Sequence, residues 1–145
     1  MKSLTNRLAR LLLLALVAAG SAWAAPAQDP KILAAGRALC DQFEQGQTAA
    51  IFARMTPGAR EAVGGSAASF ADYRDRVLRE DGPENGVIVE ETRSAGGQRI
   101  YRRIARRNIG ETPTLMEWTL DAQDRVVELA VRPQPVAIPS GKLGY

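Results

Sequence analysis

The 145-residue chain has no histidine and one cysteine. Without histidine it cannot build a Ser–His–Asp or Cys–His catalytic set, a histidine-ligated zinc or a histidine general base. A single cysteine, Cys40, excludes an intramolecular disulfide and any thiolate metal cluster. Lysine is scarce as well: beyond residue 24 only Lys31 and Lys142 occur, so arginine carries the positive charge there. Arginine favours forked, two-point ion pairs over diffuse solvation.

Long hydrophobic runs are also few. The one unbroken stretch, Leu11 to Ala19, is short for a membrane span. Lys2, Arg7 and Arg10 precede it and Ala22-Trp23-Ala24 follows it, the pattern of a secretory signal with a small–x–small cleavage site. Residues 1–24 are therefore expected to be removed on export to the periplasm, leaving a chain that starts at Ala25 and has no membrane contact. Three of the 19 basic residues lie in that signal and none of the 16 acidic ones, so 16 positive charges face 16 negative ones afterwards. A domain without net charge lacks the field that draws nucleic acid, despite the full-chain pI of 9.4.

What remains, 46% apolar and 24% charged over the whole chain, suits one globular domain. Asp29-Pro30 opens a helix carrying Ile32, Leu33, Leu39, Cys40 and Phe43, with Gly46 as its stop. Thr48 to Arg54 reads as a short helix, Thr56-Pro57 starts another, and Gly64-Gly65 ends it. Ser69 to Asp72 resembles a capping box that opens a helix running to Glu80, with Phe70, Tyr73, Val77 and Leu78 on one side. Gly82-Pro83 closes that helix.

From Asn85-Gly86 the period changes to that of strands. Val87 begins the first strand, and Ala95-Gly96-Gly97 turns into a second from Gln98 to Arg107. After a loop at 108–112, a third places Met116, Trp118 and Leu120 on one face. The fourth, Arg125 to Arg132, groups Val127, Leu129 and Val131. Links this short between consecutive strands dictate antiparallel pairing. The fold class read from this order is α+β: N-terminal short helices covering one face of a curved four-stranded antiparallel meander. Residues 25–133 form the domain, and 134–145 form a Pro/Gly-rich tail.

Phe43-x-x-Gly46, Phe52-x-x-Met55-Thr56-Pro57, Tyr101-Arg102-Arg103-x-Ala105-Arg106, and Trp118-x-Leu120-Asp121 running on to Val131-Arg132-Pro133 carry a family resemblance. The chain resembles small exported nuclear transport factor 2-like domains, found alone or ahead of a periplasmic hydrolase domain. The resemblance implies a conical fold over roughly residues 31–133. The group's frequent glycine in the last turn is replaced here by Gln123-Asp124. Some members of the wider superfamily are isomerases or dehydratases with an Asp base, a Tyr donor or a His–Asp pair. This chain lacks the histidine, and Asp72 and Tyr73, adjacent on a helix, point about 100° apart.

Five arginines fall within nine residues, Arg99 to Arg107. On a strand, Tyr101, Arg103, Ala105 and Arg107 share one face, so arginine must approach the covered side of the sheet. A guanidinium there needs a partner, and Glu117, Glu128, Glu90 and Asp72 are the acids considered. The alternative is a ladder of cross-strand ion pairs on the open face. Asp72, Tyr73, Tyr101, Arg103 and Trp118 are the candidate ligand-binding residues; Trp118, on the Met116/Leu120 face, is better explained as core beneath the helices. The acids Asp72, Asp75, Glu80, Asp81 and Glu84 read as a solvated helix face, with no metal-loop spacing.

The expectation is thus a non-catalytic exported module that binds a small anionic or apolar ligand, or acts as a homodimer or with a periplasmic protein partner, with no cofactor. Two rivals are a leading accessory module of a larger hydrolase and a small-anion lyase or isomerase using Asp72 as base and Arg103 as clamp.

Overall fold

A computed structural model describes residues 27–135; the expected signal and most of the expected tail lie outside the described residues. Four helices, α1 (Pro30–Glu44), α2 (Thr48–Ala53), α3 (Pro57–Ala62) and α4 (Ala67–Asp81), precede four strands. These are β1 (Glu84–Ala95), β2 (Gln98–Arg107), β3 (Thr114–Leu120) and β4 (Val126–Pro133), paired antiparallel in the order β1-β2-β3-β4. The α+β class and the meander expected from the sequence are therefore observed.

Local chemistry starts α1, α3 and α4, whereas α2 has no side-chain cap. The Asp29 carboxylate accepts the Lys31 N–H at 2.8 Å and Pro30 takes the first helical position. The Thr56 hydroxyl accepts the Ala59 N–H in the same way before Pro57. In α4 the cap is Ser66 and not Ser69. The backbone leaves the positive-φ pair Gly64-Gly65 and is extended at Ser66, whose Oγ accepts the Ser69 N–H at 3.1 Å. Ser69 to Asp72 is thus already inside the helix, and the expected capping box is one turn late.

Two strand boundaries also shift, both at bulges. β1 starts at Glu84 and runs through Asn85-Gly86, with irregularities at Glu84/Gly86 and Val87/Val89. In β4 an irregularity near Thr119/Leu120 pairs Leu120 with Val126 and Thr119 with Glu128, so Val127 is the extra residue. Val126, fully buried, joins the core together with partly buried Leu129 and Val131. The expected Val127/Leu129/Val131 set is corrected accordingly. At the β3–β4 turn Asp124 adopts φ 61°, a left-handed position that Asp tolerates, which accounts for a turn without glycine. The Asp121 carboxylate accepts the Gln123 and Arg125 N–H groups, fixing that turn.

One core joins helices and sheet. Ile32, Leu39, Cys40 and Phe43 of α1, Ile51 of α2 and Phe70 of α4 pack with Tyr101, Met116, Trp118, Leu120 and Val126. Trp118 meets Phe43 edge-on, and Phe43 in turn lies against Phe70 and Tyr73. Gly36 lets α1 come down directly on the Tyr101 ring.

Candidate functional site

The covered face of β2 carries Tyr101, Arg103, Ala105 and Arg107, as its alternation requires. The arginines there are held by carboxylates. Arg103 pairs with Glu84 and lies 3.9 Å from Glu90. Arg107, whose side chain is 2% exposed, sits 2.9 Å from Glu44 and donates to the Gly82 carbonyl. Of the four acids considered from sequence, Glu90 is on this face, Glu117 serves Arg102 on the other, and Glu84 and Glu44 were not among them. Asp72 and Glu128 hold no arginine among the described residues.

Glu90 is the hub. It accepts a two-point contact from Arg37 of α1 and the Tyr101 hydroxyl at 2.5 Å. Chiefly through the Arg37 hydrogen bond, its carboxyl is drawn down to about 2. Burial and the same carboxylate push the Tyr101 phenol far above its usual range, so it stays a neutral donor. Burial works against the charge on Arg103, but the Glu84 hydrogen bond and charge together with the Tyr101 hydroxyl hold its guanidinium above the usual range. This network anchors α1 to the sheet and commits its guanidinium groups to carboxylates of the chain, although the buried Nε atoms of Arg103 and Arg107 have no hydrogen-bond partner among the described residues.

Because the folded carboxyl of Glu90 titrates below its unfolded value, its contribution is present above roughly pH 5 and fades as pH falls toward 2. After allowance for solvent screening we expect Glu90→Gln to lower stability by about 2 kcal/mol at pH 7. The difference from the unsubstituted protein should shrink steadily in unfolding curves taken between pH 5 and 2.5. A gap independent of pH would contradict this assignment.

The open face of the sheet shows the expected cross-strand ladder in part: Arg102 of β2 bridges Glu91 of β1 at 3.3 Å and Glu117 of β3 at 2.8 Å.

Asp72 and Tyr73 lie elsewhere, on the α4 wall of a surface cleft of about 460 Å³ whose other wall is Ala62-Val63-Gly64. Arg76 and Arg79 complete it. Tyr73 also borders an adjoining hollow of about 250 Å³ lined by Met55, Ala59, Val127 and Leu129, with Glu128 at its edge. The Arg76 guanidinium stands over the Tyr73 ring, 5.5 Å from its centroid.

The five candidate residues thus separate into two groups. Tyr101 and Trp118 are fully buried core and Arg103 is committed to Glu84, while Asp72 and Tyr73 face the α3–α4 cleft. The Asp72–Arg103 pair required by the lyase or isomerase rival shares no described cavity. The structure contains no group of three or more potential metal-binding side chains among the described residues.

No family model, curated protein or solved structure matches the chain.

One of the missed partners could have been found from sequence. That partner is Glu91: Gly96 and Gly97, both at positive φ, form a two-residue turn that fixes the hairpin register and sets Glu91 opposite Arg102, as it sets the already considered Glu90 opposite Arg103. Glu44 and Arg37 carry no such local signal, since they reach the sheet through the packing of α1.

Proposed function

We propose that this chain is an exported, non-catalytic binding module with a nuclear transport factor 2-like conical fold, working through its surface and not through an interior cavity. The observation that carries the reading is the filling of the space between helices and sheet. Phe43, Phe70, Tyr101 and Trp118 are each 0% exposed there. Four helices ahead of a four-strand meander support the conical fold, and the motifs around Tyr101 and Trp118 support the kinship. Where an enzyme of this architecture would need an open pocket with a free acid or base, this chain has rings in contact and arginines already paired.

Export is tested by expressing the full chain and measuring the compartment and intact mass of the product. The expected product is periplasmic and begins at Ala25; an unprocessed chain retained with membranes or cytoplasm would overturn that half. The non-catalytic half is tested with Arg103→Lys. Loss of the Glu84 contact should lower thermal stability. A variant of unchanged stability would mean that Arg103 is not committed to Glu84 and is free for an active site instead.

A further inference from the structure

We infer that the α3–α4 cleft binds a monocarboxylate with an apolar body, the carboxylate held by Arg76 and Arg79 and the body laid along Ala62 and Val63 toward the adjoining hollow. This deepens the binding-module reading and rests on it.

The cation pair is the first observation. Arg37, Arg99, Arg102, Arg103 and Arg107 each hold a carboxylate within 4 Å, whereas Arg76 and Arg79, like Arg93 and Arg106, hold none among the described residues; Arg76 and Arg79 are set apart by lining one cleft together. Two exposed arginines three residues apart on one helix face present convergent forks. Arg76 is steered by the Tyr73 ring beneath it, which reduces the freedom lost on binding.

Shape is the second. About 460 Å³ is within the range of small-molecule sites, and the walls are apolar at Ala62 and Val63. Past the Tyr73 ring the surface continues over Met55, Ala59 and Leu129. The Tyr73 phenol, raised by burial, remains a protonated donor at neutral pH. Its hydroxyl is therefore suited to an oxygen, while its ring, covered by Arg76 and stacked on Phe70, leaves the apolar contacts to Ala62 and Val63.

Charge selects among anions. Asp72 lies on the same wall and Glu128 at the far edge, so a second negative charge on the ligand would be repelled. That favours a monoanion over a phosphate dianion, and an uncharged far end over a dicarboxylate.

The probe is 4-phenylbutyrate, titrated into the full chain while backbone amide resonances are followed by NMR. Saturable shifts should cluster on residues 62–64, 69–79 and 127–129, with inorganic phosphate and the neutral 4-phenylbutyramide binding at least about tenfold more weakly. The R76Q/R79Q double variant, whose exposed side chains make no ion pair in the fold, should keep its unfolding midpoint and lose affinity by about tenfold or more. Equal binding of the amide, or full affinity in the folded double variant, would overturn the carboxylate assignment. Absence of saturable shifts with any of the three probes would overturn the site. Neither result touches the filled interior, which solvent access to Trp118 measures separately.

Discussion

Gly36→Ala is expected to destabilise the protein by about 3 kcal/mol, the reverse of what helix propensity alone dictates. An alanine inside α1 would gain about 1 kcal/mol over glycine if nothing stood above it. Here a Cβ would land inside the Tyr101 ring. That ring cannot yield easily: it is 0% exposed, and its hydroxyl is tied to Glu90, which is itself gripped by Arg37. Either α1 lifts from the sheet or the phenol leaves its acceptor. Gly58→Ala in α3 is the internal control, because nothing lies within 4 Å of its added carbon. It should be neutral or slightly stabilising. Combining Gly36→Ala with Tyr101→Ala should cost less than the two changes separately, as residues in direct contact couple. Denaturant unfolding of the four variants measures all of this; a Gly36→Ala protein as stable as its parent would mean that α1 stands further from β2.

Glu44→Gln is expected to cost about 3 kcal/mol, because it leaves the Arg107 guanidinium buried and unpaired. Glu44 ends α1, Arg107 ends β2, and the Gly82 carbonyl that Arg107 also reaches closes α4. The carboxylate further accepts the Glu84 N–H at the start of β1, so one acid joins both helix ends to the first hairpin. At 2.9 Å the Arg107–Glu44 contact is an ion pair that lies out of line for a hydrogen bond, so most of the loss comes from stranding the charge. Arg107→Met in the Glu44→Gln background should then recover much of the stability, since the costly cation is gone. A loss below about 0.5 kcal/mol for Glu44→Gln alone would show that water reaches Arg107.

These two sites mark the limit of what the residues disclose before folding. Proline after Asp29 and Thr56, the Gly96-Gly97 turn and the alternation through Met116, Trp118 and Leu120 are local signals, and each element they imply is present. Bulges at Ile88 and Val127 break the period without a glycine or proline to announce them, so Val126 and Val127 exchange faces against expectation. The arginine-rich strand could be read as approaching the covered face, because neither of its faces is apolar. Its partners on neighbouring strands, Glu90 and Glu117, are legible from the sequence order of the strands. Glu44 and Arg37 depend on where a helix lands on a sheet, and Gly36 looks in sequence like a weak point in α1 when it is the contact that lets α1 approach. The α3–α4 cleft is the least legible feature, since Arg76 and Arg79 among the acids of α4 look like members of a salt-bridged surface.

Solvent access to the indole between helices and sheet bears most directly on whether this fold encloses a pocket. Tryptophan occurs only at positions 23 and 118, so Trp23→Phe leaves Trp118 as the sole reporter in the full chain. Stern–Volmer titration with acrylamide should show emission that is blue-shifted and quenched far more slowly in the native protein than after unfolding in denaturant. Native quenching close to the unfolded rate would mean an interior open to small molecules, and the surface-binding account would be wrong.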